Sequence, residues 1–219
     1  MPQKRSQSEA QVLENYRVAL QNAGEQPILA AELAEYGYDS AKIDEGKTLH
    51  ATCRVAFDGN KKESREATEA HDIFAAKLDA LLAAYGIHRK KAKVLFRNEH
   101  NVLSLLSLAN AMPEAYIKKV ETMKTFYNIL TADQQLMAKV ATFKITAAEV
   151  TASLAALTGL ETARTAYLRE MGESQEATRL KDAAFKLIDD WMQEFYAVAR
   201  IALSDHPQLL EALGITIRG

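Results

Sequence analysis

The residue types best suited to hold a metal gather in the first third of the chain, where His50 and Cys53 stand three positions apart. On a helix this spacing places an imidazole and a thiol on one face, where a tetrahedral metal can use both. If the chain reverses at Gly59, the returning helix brings His71 level with His50. These three residues form a candidate metal site. The alternative is a hydrogen-bonded core histidine beside a cysteine that packs as a small hydrophobe.

A second candidate is the cation-rich run from His88 to Arg97. On a helix Arg89, Lys93 and Arg97 share one side, and Lys90 lies beside them. Such a patch could meet nucleic-acid phosphates or an acidic partner. The alternative is a solvated helix face. No aromatic residues interleave with the patch as a base-stacking platform requires, so a nucleic acid is the less favoured partner.

The motifs of several enzyme and cofactor classes are missing from the sequence. There is no Gly-rich phosphate loop, no His-Glu-x-x-His and no Gly-x-Ser-x-Gly. None of the five histidines follows a glutamate by three positions, as a ferritin-like di-iron bundle requires. The single cysteine excludes an intrachain disulfide and a Cys-based zinc cage. We therefore expect no cofactor and favour a non-enzymatic role.

Composition predicts an all-α fold. Hydrophobic residues make up 48% of the 219 residues and charged residues 26%, with only 4 prolines and 9 glycines. Good helix formers dominate, and β-branched residues never alternate as strands require. The net charge of −2 gives no bias toward nucleic acid or an anionic membrane surface. The polar N-terminal segment and the lack of a long apolar run predict a cytoplasmic, soluble protein without a signal peptide or membrane span.

Hydrophobic periodicity predicts six or more helices, with Asp39, Thr146, and either Thr131 or Asp133 as N-caps. Turn signals at 58–60 and at 171–174 predict that each half of the chain contains a hairpin of long helices.

The two halves resemble each other when the sequence is shifted by 107 residues. The stretch 62–70 then falls on 169–177 with matching charges, and the order of helices and caps repeats. This pattern predicts a tandem duplication, with one helical repeat in residues 1–112 and a second in 113–219. Both would pack as one compact pseudo-twofold domain, whose two long-helix hairpins form a four-helix-bundle-like core with extra short helices.

The shift also indicates where the first copy differs chemically from the second. His50 and Cys53 align with Leu157 and Leu160, and His88 aligns with Phe195. Polar groups thus occupy positions that are apolar in the second copy. Three hypotheses remain open: an interaction module that forms a homodimer or binds another protein, a bundle that binds a metal or small ligand near His50, and a weak nucleic-acid binder.

Overall fold

The computed structural model describes residues 7–216, and within that range the chain is helical and contains no strand. Residues 1–6, on which the expectation about a signal peptide partly rests, lie outside the described residues, as do 217–219. None of the helices in residues 7–216 combines the length and the apolar content that crossing a membrane requires. The predicted all-α class is confirmed for the part of the chain described.

Two pairs of helices have equal lengths, at corresponding places in the two halves of the chain. α1 and α5 have 17 residues each, and α3 and α7 have 56 each. In chain order the elements are α1 (Glu9–Glu25), α2 (Pro27–Glu35), α3 (Ser40–Leu95), α4 (His100–Leu105), α5 (Tyr116–Ala132), α6 (Gln134–Ala141), α7 (Ala147–Ala202) and a 3₁₀ helix (Pro207–Leu213).

The helix starts follow the capping chemistry that the sequence predicts. The carboxylate of Asp39 accepts the amide of Lys42 at 2.9 Å, in the first turn of α3. Asp133 accepts two amides of α6, both at 2.9 Å, so it is the cap at that position. At α7, Glu149 accepts the amide of Thr146 at 2.7 Å and donates its own amide to the Thr146 hydroxyl at 3.2 Å. This reciprocal pair is a capping box.

The predicted hairpins are wrong, because the long helices do not turn. α3 continues through Gly59 and Gly86, and α7 continues through residues 171–174. One glycine costs a helix only about 1 kcal/mol, which the surrounding helix formers and tertiary contacts outweigh. Instead of closing a turn, the side chain of Asn60 donates to the Thr178 hydroxyl on α7 at 2.9 Å.

The chain forms two compact units, and the boundaries between them fall inside the two long helices. The first unit comprises the chain up to Ser64 and from Glu173 onward, and the second comprises Arg65–Gly172. Each unit therefore contains elements from both halves of the sequence. The division into two copies at residue 112 is a different partition of the chain and stays a prediction.

The first unit has a core to which α7 contributes three aromatic residues, Phe185, Trp191 and Phe195. Trp191 stacks on Phe195 with their ring centroids 5.4 Å apart, and Tyr38 meets Trp191 edge-on at 5.6 Å. Gly46 of α3 makes room for the indole, because a Cβ at Gly46 would lie 2.5 Å from Cη2 of Trp191. Leu20 of α1 packs against the same glycine. This core is fully occupied by side chains at that point.

The second unit has its own core, built where α5 and α6 pack with the last part of α3 and the first part of α7. Its largest buried side chains include Tyr85, Phe126 and Tyr127, which pack mutually edge-to-face at centroid distances of 5.1 to 6.0 Å. Edge-to-face contacts add stability beyond the burial of area. Tyr127 of this cluster also meets His88 of α3 edge-on, with the ring centroids 5.8 Å apart.

Candidate ligand site in the second unit

The structure gives His50 a structural partner. Its Nε2 lies 2.9 Å from the backbone carbonyl of Leu13. A carbonyl only accepts, so Nε2 carries the hydrogen and that nitrogen has no lone pair for a metal. Cys53 is fully buried in the core of the first unit. This arrangement matches a hydrogen-bonded core histidine beside a cysteine that packs as a hydrophobe.

His71 does not join the other two predicted metal ligands. Because α3 does not reverse at Gly59, His71 lies 21 residues after His50 on the same helix, in the other unit. It is exposed, and its ring lies edge-on to Tyr167 at 5.3 Å. Among the described residues, His50 and Cys53 have no third ligand atom within metal-binding reach.

The predicted basic patch is only partly assembled. Arg89 donates to the carbonyl of Asn110, which ties the helix to the loop after α4. Arg97 falls beyond the last residue of α3, so it leaves the helical side that Arg89 and Lys93 share. Lys90 and Arg97 are exposed. Their predicted role toward phosphates or an acidic partner remains a prediction.

A cavity of about 470 Å³ lies between the last part of α3 and the first part of α7, and we call it the His88 groove. Its volume is typical of small-molecule sites. Both ends of its α3 wall carry lysines, and alanines line much of the rest. The lining residues are Lys77, Ala80, Leu81, Ala84, Ile87, His88, Lys91, Glu149, Ala152, Ser153 and Ala156.

His88 supplies the main polar group of the groove. The side chain is only 6% exposed, and its Nδ1 lies 3.0 Å from the hydroxyl of the buried Tyr127. Nε2 has no hydrogen-bond partner among the described side chains. Burial lowers the pKa of His88, an effect that Glu149 opposes and Lys91 reinforces. At neutral pH the groove therefore presents a neutral imidazole with one unused nitrogen.

The hydroxyl of Ser153 lies on the opposite wall of the groove. Ser153 is also 6% exposed, and it donates to the carbonyl of Glu149 at 2.8 Å. Burial raises the pKa of Tyr127, and a hydrogen bond with Ser153 partly opposes that rise. Tyrosine, tryptophan and cysteine aside, His88 and Ser153 are the only buried polar side chains within residues 7–216, and both line this groove.

Charged residues stand at the rim. The capping box with Thr146 lowers the pKa of Glu149, so this carboxylate is ionised and fixed at neutral pH. Lys91 donates to the carbonyl of Lys144 at 2.8 Å. Lys77 makes no hydrogen bond or ion pair within the described part of the chain. Its Nζ reaches across to α7, 3.9 Å from where a Cβ on Gly159 would lie.

The groove coincides with differences between corresponding positions of the two halves. Trp191, which packs against Gly46 in the first unit, stands 107 positions after Ala84. Ser153 stands 107 positions after Gly46, and Phe195 stands 107 positions after His88. The first unit has the indole of Trp191 where the second has the methyl group of Ala84. The second unit also has polar side chains, His88 and Ser153, where the first has Phe195 and Gly46.

The sequence indicates one member of this site, His88, through its contrast with Phe195. The predicted hairpin instead placed the candidate site at His50. The signal for the others is the difference in size between Ala84 and Trp191, together with the difference between Gly46 and Ser153. Lys77 and Tyr127 carry no sequence signal for this site.

Comparison with known protein families, with curated proteins and with solved structures finds no match to this chain.

Proposed function

We propose that this chain binds a small, largely apolar organic molecule in the His88 groove. The single observation that carries the proposal is that one cavity is lined by both the imidazole of His88 and the hydroxyl of Ser153, two buried polar side chains of the described structure. Nδ1 of His88 is bonded to Tyr127, whereas Nε2 has no partner among the described side chains. A ligand that hydrogen-bonds to this nitrogen would use the free position and cover the apolar walls of the groove.

We also propose that the two halves are copies of one ancestral unit. α5 and α7 each begin 107 positions after α1 and α3, and the paired helices have equal lengths. The backbone supports this register independently. The residues with positive φ in the described range are Gly37 and Ser107, and 107 positions later Lys144 and Gly214. On this view the groove lies where one copy has an alanine, Ala84, and the other has Trp191.

Substitution Ala84→Trp tests the binding proposal. We expect the new indole to lie along the groove and stack on His88, as Trp191 stacks on Phe195. The variant should remain folded and lose ligand binding. A fragment library screened by ligand-observed NMR against both proteins measures this, with circular dichroism as the check on folding.

The matched control is Ala83→Trp, which adds the same side chain at an exposed neighbouring position outside the groove. It should bind fragments as the native protein does. Fragments that bind Ala84→Trp as tightly as the native chain would remove the groove as the site.

A second proposal is that the protein forms a homodimer through an apolar stripe on α7. Leu180, Leu187 and Ile201 are 50%, 59% and 59% exposed, and they lie seven and fourteen positions apart. Heptad spacing of this kind lines the seam of paired helices, and the same stripe on a second copy is its natural complement.

Light scattering of the native protein and of Leu187→Glu tests this dimer. The native chain should show the mass of a dimer and the variant that of a monomer. Val55→Glu is the control, since Val55 is 74% exposed but stands outside the stripe. A native protein that stays monomeric at high concentration contradicts the proposal.

A further inference from the structure

Resting on the proposed ligand site, we infer that the ligand of the His88 groove is an elongated organic acid. Its carboxylate pairs with Lys77 at one end, and a neutral hydrogen-bonding group meets His88 toward the other. The groove's length, its charge distribution and the orientation of His88 support this assignment in turn.

The groove is long and narrow. Its lining on α3 extends from Lys77 to Lys91, fourteen residues apart, which is about 20 Å at the rise of an α-helix. Between these ends the wall is mostly apolar and presents Ala80, Leu81, Ala84 and Ile87, opposite Ala152 and Ala156 on α7. A volume of about 470 Å³ spread over that length suits an extended apolar chain better than a compact ring system.

The two ends of the groove differ in their charge balance. At the Lys91 end, the positive charge of Lys91 lowers the pKa of the nearby Glu149 carboxylate, and Lys91 also donates to a backbone carbonyl. The charge of Lys91 is therefore balanced by Glu149. Lys77 has no counter-ion among the described residues, and no acidic side chain lines the groove beside it. One anionic group at the Lys77 end would complete the site.

His88 specifies the other contact. It lies eleven positions beyond Lys77 on α3, about 16 Å along the helix, with Nδ1 held by Tyr127. The neutral imidazole can donate or accept at Nε2, so a hydroxyl or carbonyl satisfies it. A second carboxylate there would lie beside the ionised Glu149, which disfavours a dicarboxylic acid.

The test compares two probes of equal length, 12-hydroxydodecanoate and the uncharged 1,12-dodecanediol, by isothermal titration calorimetry. The native chain should bind the acid at least about fivefold more tightly, as a partly exposed ion pair of about 1 kcal/mol gives. Lys77→Met keeps the length of the side chain and removes its charge, so it should bind both probes equally. Lys90→Met, on an exposed residue outside the groove, should keep the native preference.

The outcomes separate this inference from the proposed function. The inference that the ligand is an organic acid is overturned if the native chain binds the acid and the diol equally. It is also overturned if Lys77→Met keeps the native preference for the acid. If Ala84→Trp then still abolishes binding of the diol, the groove remains the ligand site. Failure of both probes to bind overturns the inference, and the fragment screen, which assumes neither charge nor length, decides the proposed function independently.

Discussion

His88 is a titratable side chain that is almost completely buried. Its ring is nearly enclosed, and its hydrogen bond to Tyr127 satisfies one nitrogen only. Lys91 and Glu149 are the charged groups that act on it, with opposite effects on its pKa. The balance favours a neutral imidazole, and this has a measurable consequence for stability.

We expect the protein to lose stability as the pH falls below about 6.5, the ordinary pKa of histidine. Because burial lowers the pKa of His88 in the folded state, the unfolded chain binds more protons between the two pKa values. As the pH is lowered through that window, the free energy of unfolding therefore decreases. Above the window, where His88 is neutral in both states, this contribution to stability is fully present. His88→Gln, which keeps a neutral partner for Tyr127, should remove this contribution.

Urea unfolding followed by circular dichroism at about pH 7.5 and about pH 5 measures the effect. The loss on acidification should be smaller in His88→Gln than in the native chain. His71→Gln, at an exposed histidine, serves as the control and should behave like the native protein. An identical loss in the native chain and in His88→Gln would show that His88 does not titrate differently on folding.

At this scale the sequence predicted which positions are unusual but not what they contact. His50 and Cys53 were correctly placed on one side of a helix. The group that satisfies His50, however, is a carbonyl 37 residues away on α1, and no local pattern encodes that partner. The role of His88 likewise depends on Tyr127, which reaches it from α5. The sequence could therefore indicate the unusual residues of the site, by comparison of the two halves of the chain, but not the groups that these residues contact.

Among the elements, the long helices show which predictions from local sequence agree with the folded structure and which do not. The N-caps at Asp39, Asp133 and Thr146 were predicted correctly, because a cap depends on amides within three positions of itself. The turns predicted at 58–60 and 171–174 are wrong, because both stretches lie inside uninterrupted helices. Glycine permits a turn without requiring one. In the folded chain Asn60 instead donates to Thr178 on α7.

The substitution Gly86→Ala tests the continuity of α3. A Cβ there meets no atom within 4 Å, and Gly86 does not have a positive φ. Alanine should therefore stabilise the protein by about 0.5 to 1 kcal/mol. If α3 instead ended at Gly86 with the glycine in a left-handed conformation, alanine would destabilise the protein. Chemical denaturation of the two proteins measures the difference.

Gly37→Ala is the matched comparison for that measurement. Gly37 also has open space around it, but its φ is +85°. Alanine at this left-handed position should destabilise the protein by about 1 kcal/mol. If Gly86→Ala and Gly37→Ala both destabilise, α3 is interrupted at Gly86.

For the molecule as a whole, the division of the sequence into two proposed copies differs from the division of the structure into two compact units. The buried core of the first unit draws its members from residues 13–57 and 185–213, so both halves of the chain contribute. The buried core of the second unit lies entirely within residues 81–160. The sequence repeat alone could not predict how the two cores are divided along the chain, because that division depends on whether the long helices turn back.

This difference predicts which fragment of the chain can fold. A fragment of residues 65–172 holds the complete second core, whereas a fragment of residues 1–112 holds part of each core and neither one entire. The first should unfold cooperatively on heating, and the second should show no cooperative transition, because its apolar faces lack their partners. Thermal melts by circular dichroism and the dispersion of amide resonances in NMR spectra distinguish the two. A cooperative melt of 1–112 with an unfolded 65–172 would mean that each half packs on itself, as the predicted hairpins require.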